Sequence, residues 1–107
     1  MRAYECMVIF DADLDEEKVR GKMSEYQSLI SSNGGELASC DVWGKRKFAF
    51  RLKKRWEGTY VVMKWKSQTA VLEPLDRTLT LADEVLRHKI LRIPDDVYAK
   101  SLAGASS

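Results

Sequence analysis

The amino-acid sequence predicts an α+β fold: a four-stranded antiparallel sheet with two helices on one face. Three observations point to it. Four segments rich in Val, Ile, Tyr and Phe read as strands bounded by turn residues. Two others repeat apolar residues at helical spacing. Their order is strand, helix, strand, strand, helix, strand. Each strand–helix–strand half requires a right-handed crossover, and joining the halves gives the split βαβ or ferredoxin-like sandwich (βαββαβ). The other face of the sheet has no helix to cover it, so it is the first place to look for a binding surface.

The first strand is "YECMVIFDA". Tyr4, Cys6, Val8 and Phe10 fall on one side and Glu5, Met7 and Ile9 on the other. Both sides are largely apolar, which predicts a central strand. "DADLDEEKVRGKMSEYQSLISSNGG" is the clearest helix, with Asp13 as cap and Glu16 completing a capping box. Acidic residues crowd its first turn, where they complement the helix dipole. Val19, Met23, Tyr26 and Ile30 form one apolar stripe, and Gly34 and Gly35 stop the helix.

The second strand runs from Glu36 to about Lys53, interrupted at Gly44 by an expected bulge. Beyond Gly44, alternation assigns Phe48, Phe50 and Leu52 to the core side. "KRWEG" reads as the hairpin turn and "TYVVMKWK" as the third strand. "SQTAVLEPLDRTL" is the second helix, capped by Ser67 or Thr69, with Val71 or Leu72, Leu75 and Leu79 as its buried stripe. Pro74 requires that helix to start late or kink. "DEVLRHKILRI" is the last strand, ended by Pro94. The organisation is one domain over residues 1–94, with residues 95–107 as a flexible C-terminal tail.

With 107 residues, 45% hydrophobic and 32% charged, the chain has the makeup of an ordinary globular domain. The start "MRAYECMVIF" is too short and too polar for a signal peptide or membrane span, which predicts a cytoplasmic protein. Cys6 and Cys40 lie in strand-like surroundings without CxxC spacing and read as reduced, structural thiols. No glycine-rich phosphate loop, GxSxG or HExxH motif is present, so no catalytic residue, metal ligand or cofactor is assigned. His88 is the single histidine and reads as structural or surface. The same topology serves small acyl-phosphate hydrolases, but the loop such an enzyme needs for phosphate is here "FDADLDEE", which repels it.

The net charge of +2 hides an uneven distribution. Within "DVWGKRKFAFRLKKRWEG", the stretch from Lys45 to Arg55 holds seven cations and no anion. The rest of the chain holds eleven cations and sixteen anions. Cations interleaved with aromatics suit a polyanion, releasing counterions from phosphates. Lysine on a solvated edge strand also prevents sheet-to-sheet aggregation, and charge alone leaves both readings open. An RNA-recognition motif of the usual kind would need K/R-G-F/Y-G/A-F-V-x-F/Y on the third strand, and "EGTYVVMKW" lacks its stacking pair.

Three segments, "MRAYE", "DVWGKRKFAFRLKK" and "LDRTLTLADEVLRHKILR", resemble in order and spacing the bacterial small-subunit ribosomal protein six family, across residues 1–93. The middle motif is the most specific. Trp43, Gly44, Lys45 and Arg46 match it, while Phe48 and Phe50 stand where the family usually has leucine and tyrosine. Pro74 also departs from the usual helical residue.

The resemblance implies the ferredoxin-like fold and a structural, non-catalytic role in the small ribosomal subunit. It further implies binding to the central domain (platform) of the small-subunit ribosomal RNA, with small-subunit ribosomal protein eighteen as heterodimer partner. By the same resemblance, Arg2 and Tyr4 match the N-terminal motif near RNA, Lys45 and Arg46 the basic pair, and Arg87 and Arg92 the basic last strand. Met7, Ile9 and Met63 are the apolar residues expected on the uncovered face as a protein-partner surface. On this reading the basic partner supplies much of the RNA affinity, and the isolated chain binds RNA poorly. The alternative is a ferredoxin-like regulatory or small-molecule-binding domain.

Overall fold

The computed structural model describes residues 1–99. The chain runs through β1 (Arg2–Asp11), α1 (Glu16–Ser32), β2 (Glu36–Leu52) and β3 (Arg55–Ser67). A 3₁₀ turn (Thr69–Val71) then leads into α2 (Leu72–Leu81) and β4 (Val85–Ile93). The strands pair antiparallel in the order β2-β3-β1-β4, so β1 is central as its two apolar faces require. This is the ferredoxin-like α+β sandwich.

Period-two alternation on β1 and the helical stripes meet in one core. Tyr4, Cys6, Val8 and Phe10 pack with Val61, Met63 and Trp65 of β3. Against them lie Val19, Met23, Tyr26 and Ile30 of α1 and Leu75 and Leu79 of α2. Trp65 is fully buried, its ring 5.8 Å from that of Tyr4. Its indole N–H donates to Ser67 Oγ at 3.0 Å, and that hydroxyl donates to Gln68 O at 3.1 Å. Ser67 is thereby used to satisfy a buried tryptophan rather than to cap a helix. Neither α2 nor the 3₁₀ turn has a side-chain cap, and Pro74 sits in the first turn of α2, where an amide has no intrahelical acceptor to lose.

The cap of α1 lies two residues later than expected. Asp11 holds the preceding loop, its Oδ1 accepting from Asp13 N at 3.0 Å and its carbonyl from Leu14 N at 3.0 Å. That turn carries Asp13 past the helix start, and Asp15 Oδ1 accepts from Lys18 N at 2.8 Å instead. At the other end Gly34 adopts φ +85°, the left-handed conformation that glycine accepts without Cβ strain.

Both cysteines are free thiols. Burial, with smaller contributions from the charges of Asp76 and Glu5, pushes the Cys6 thiol up to about 12, and burial also raises Cys40. Neither sits in the electropositive setting that makes a thiol reactive. His88 lies on the helix side of β4, with Nε2 2.7 Å from Asp76 Oδ1 on α2, a contact that ties the last strand to the second helix. Of the expected tail, residues 95–99 form a helical turn with Tyr98 buried and Lys66 Nζ 5.2 Å above its ring. Residues 100–107 lie outside the described residues.

The hairpin departs most from expectation. Gly44 does bend β2, with φ +94° and a register shift between Val42 and Gly44. Past Lys47↔Glu57, however, the ladder resumes only at Leu52↔Arg55, so Phe48 to Arg51 face a single β3 residue. The far half of β2 therefore leaves the sheet as an arm, and alternation no longer assigns its faces. Phe50 is 58% exposed, and Phe48 and Leu52 are only half-buried, so none of the three belongs to the helix-side core. The turn is two residues, Lys53 (φ 47°) and Lys54 (φ 67°), rather than the longer "KRWEG". Positive φ at both positions is the primed-turn geometry that glycine and asparagine usually occupy. Lys53 Nζ donates to Val85 O at 2.9 Å, pinning the strained tip to the start of β4.

Candidate nucleic-acid interface

Pairing decides which side chains share the uncovered face. Met7 lies opposite Val62 and Lys89, and Ile9 opposite Tyr60 and Arg87. Cys6 lies opposite Met63. Met63 therefore faces the helices and is fully buried, which removes it from the partner surface assigned to it. The error came from "VVM", apolar on both parities, which only pairing with β1 can orient. Ile9 is on the predicted face but only 4% exposed, because the hairpin arm covers it. The arm can lie so close because of Gly58. A Cβ there would stand 2.7 Å from Ile9 Cγ2, 2.7 Å from Phe10 O and 2.9 Å from Phe48 Cζ. Phe48 leans over Tyr60 with ring centres 6.1 Å apart.

The arm and β4 enclose a groove of about 340 Å³, floored by Met7, Ile9 and Tyr60 and walled by Phe48 and Phe50. Lys47, Arg87 and Lys89 border it, and no carboxylate lines it. A hollow of about 690 Å³ on the other side of the hairpin is lined by Asp13, Asp15 and Glu16 beside Trp43, with Lys45 as its one cation. Its net charge repels phosphate. The open face is thus the side of the hairpin suited to a polyanion.

The basic run itself divides in two. Arg55 is held by Asp11 (Nε to Oδ2, 3.1 Å) and Asp13 (Nη1 to Oδ2, 3.2 Å), and Lys53 is spent on the Val85 carbonyl. Lys45 and Arg46, next to the Gly44 bend, are exposed and have no ion pair among the described residues. Arg46 makes one contact of 3.4 Å to the Lys45 carbonyl. The stem keeps free charge, while at the tip Lys53 and Arg55 are tied back and only Lys54 is not.

The six residues proposed for RNA are not gathered into one site. Lys45, Arg46 and Arg87 share the hairpin end of the sheet, where Arg46 pairs with Gly58 and Arg87 with Ile9. Arg2 and Arg92 are exposed at the opposite end, where Arg2 pairs with Ser67 and Arg92 with Tyr4. Five residue steps along β1 separate Tyr4 from Ile9, about 17 Å. Tyr4 is 3% exposed, packs on Trp65 and leaves its hydroxyl without a partner, so it is a core residue and cannot meet RNA as the chain is folded. Sequence reasoning passed over Lys89 and Tyr60. Both are one register step from residues already chosen, a signal visible only once the strands are paired.

Among the described residues, no group of three or more His, Cys, Asp and Glu could hold a metal ion. No helix among them is long and apolar enough to cross a membrane.

A family model described as ribosomal protein S6 matches residues 3–92. The chain is 43% identical over 95 residues to the small ribosomal subunit protein bS6 of Nocardioides sp., covering 89% of this chain and 98% of that one. It is 44% identical over 92 residues to the bS6 protein of Thermoanaerobacter pseudethanolicus, covering 86% and 97%. The crystal structure of 30S ribosomal protein S6 from Thermotoga maritima superposes with a TM-score of 0.83 at 26% identity, over 97% of each chain. The C-terminal domain of MgtC from Mycobacterium tuberculosis shares the fold alone, with a TM-score of 0.55 at 20% identity. Sequence and architecture agree, and the chain belongs to the ribosomal protein S6 family.

Proposed function

We propose that this chain binds the central domain of the small-subunit ribosomal RNA through its hairpin stem and the adjoining edge of β4, with small-subunit ribosomal protein eighteen as heterodimer partner. Its family is structural and non-enzymatic, a part of the small ribosomal subunit in the cytoplasm. The observation that carries the RNA reading is a set of cations without an ion pair among the described residues: Lys47, Arg87 and Lys89 around an acid-free groove, and Lys45 and Arg46 on the stem outside it. Such cations neutralise phosphates and read RNA shape more than sequence. Arg2 and Arg92 offer a second, distant phosphate contact. The 46% exposed Leu91, beyond the arm, provides the apolar contact for the partner, while Met7 lies in the groove floor. The anionic excess outside the hairpin leaves the isolated chain a weak RNA binder, so the partner's cations complete the site.

The test is sedimentation of native lysate. The chain should travel with small subunits and be released as salt rises, and purified chain should gain affinity for a central-domain RNA fragment when the partner is added. Finding the chain wholly free of ribosomes would overturn the reading. Equal RNA affinity with and without the partner would remove the heterodimer from it.

A further inference from the structure

The groove under the hairpin arm has a chemistry that phosphate neutralisation alone does not use. Phe50 is 58% exposed and stacks on no other ring among the described residues, while Phe48 and Tyr60 form a tilted pair beside it. An aromatic side chain of that size left in water is an anchor without its ligand. Around these rings stand Lys47, Arg87 and Lys89, without an ion-pair partner among the described residues. Aromatic faces bordered by unpaired cations are the combination that holds unpaired nucleic acid: bases stack on the rings while the backbone follows the charges. The volume of about 340 Å³ lies at the lower end of the ~300–1,000 Å³ range of ligand pockets. That admits a base and its ribose but not a duplex.

We propose that this groove receives one unpaired RNA nucleotide, its base against Phe50 and Phe48 and its flanking phosphates on Lys47, Arg87 and Lys89. The site rests on the RNA reading above and adds to it a single-stranded contact on the open face, distinct from the Lys45–Arg46 stem. An apolar protein segment would fill the same rings, but it would leave three cations unmatched.

The full chain, labelled for NMR, is titrated with a short unpaired oligoribonucleotide and separately with a blunt RNA duplex of equal length. The ring signals of Phe48, Phe50 and Tyr60 should move with the unpaired probe and not with the duplex. Phe50→Ala should weaken the unpaired probe about tenfold and leave duplex affinity and melting temperature unchanged, and Phe50→Tyr should restore binding. Equal responses to the two probes, no response to either, or rings that shift only on adding the partner protein would each overturn the proposal. Sedimentation of wild type with small subunits separates the two failures. If the chain co-sediments while its groove ignores the unpaired probe, the nucleotide site falls and the RNA reading stands. If it does not co-sediment, both fall.

Discussion

The two faces of the sheet are built from the same four strands by different means. On the helix side, every second residue of β1 meets an apolar stripe of α1 or α2, and burial is complete. On the open side no helix is available, and cover comes from the chain's own hairpin arm at one end and the 95–99 turn at the other. The first arrangement depends on many interchangeable apolar contacts. The second depends on single residues, Gly58 for close approach and Lys53 for the latch to Val85. A face closed by a few contacts can keep a groove and unmatched charge, and a face closed by a packed core cannot.

Four substitutions, from the largest effect down, and one pH series put that difference to the test. Leu75→Ala empties a fully buried site on the helix side and should cost about 2–5 kcal/mol in urea unfolding. Gly58→Ala forces a Cβ to within 2.7 Å of the Phe10 carbonyl, which is backbone and cannot yield. It should cost about 1–3 kcal/mol and loosen the arm, read as faster amide exchange across residues 47–52. A loss as large as that of Leu75→Ala would mean the arm is part of the core after all. Asp15→Ala removes the observed α1 cap and should cost about 1 kcal/mol, while Asp13→Ala stays within about 0.5 kcal/mol.

A pH dependence on the helix side adds a test that starts from the unsubstituted chain. The Cys6 thiol has its proton held on to about 12, and Tyr26 likewise to about 12, mainly by burial. In the unfolded chain both ionise at lower pH. The folded state therefore keeps more protons, and stability falls as pH rises from about 9 toward 12. Urea midpoints across that range should decline, with Cys6→Ala flattening part of the slope. An unchanged slope would show that the thiol is not shielded.

How much of this was legible in the sequence follows the same division. The helix side could be read because its periods are regular: Val19, Met23, Tyr26 and Ile30 fell where a stripe predicts, and Gly34 stopped the helix. The cap was misplaced because three aspartates compete within five residues, and only the Asp11 turn decides between Asp13 and Asp15. Met63 was misassigned because a strand apolar on both sides carries no parity signal. The hairpin arm escaped notice because alternation presumes an unbroken ladder, and the four residues after Lys47 have none. At the interface, residue types were legible and their availability was not. Lys45 and Arg55 look alike in the sequence, but Arg55 is held by two carboxylates and Lys45 by none.

That last contrast gives the most direct measurement. Small subunits are assembled from RNA and proteins with wild-type chain, with Lys45→Gln and Arg46→Gln together, or with Arg55→Gln, which removes a tip cation that Asp11 and Asp13 hold. Incorporation is measured against the melting temperature of each chain. The account predicts that the stem pair loses most incorporation while its melting temperature barely moves, and that Arg55→Gln incorporates as wild type does at temperatures below its own melting point. Equal incorporation by all three, or a loss at the tip as large as at the stem, would contradict it.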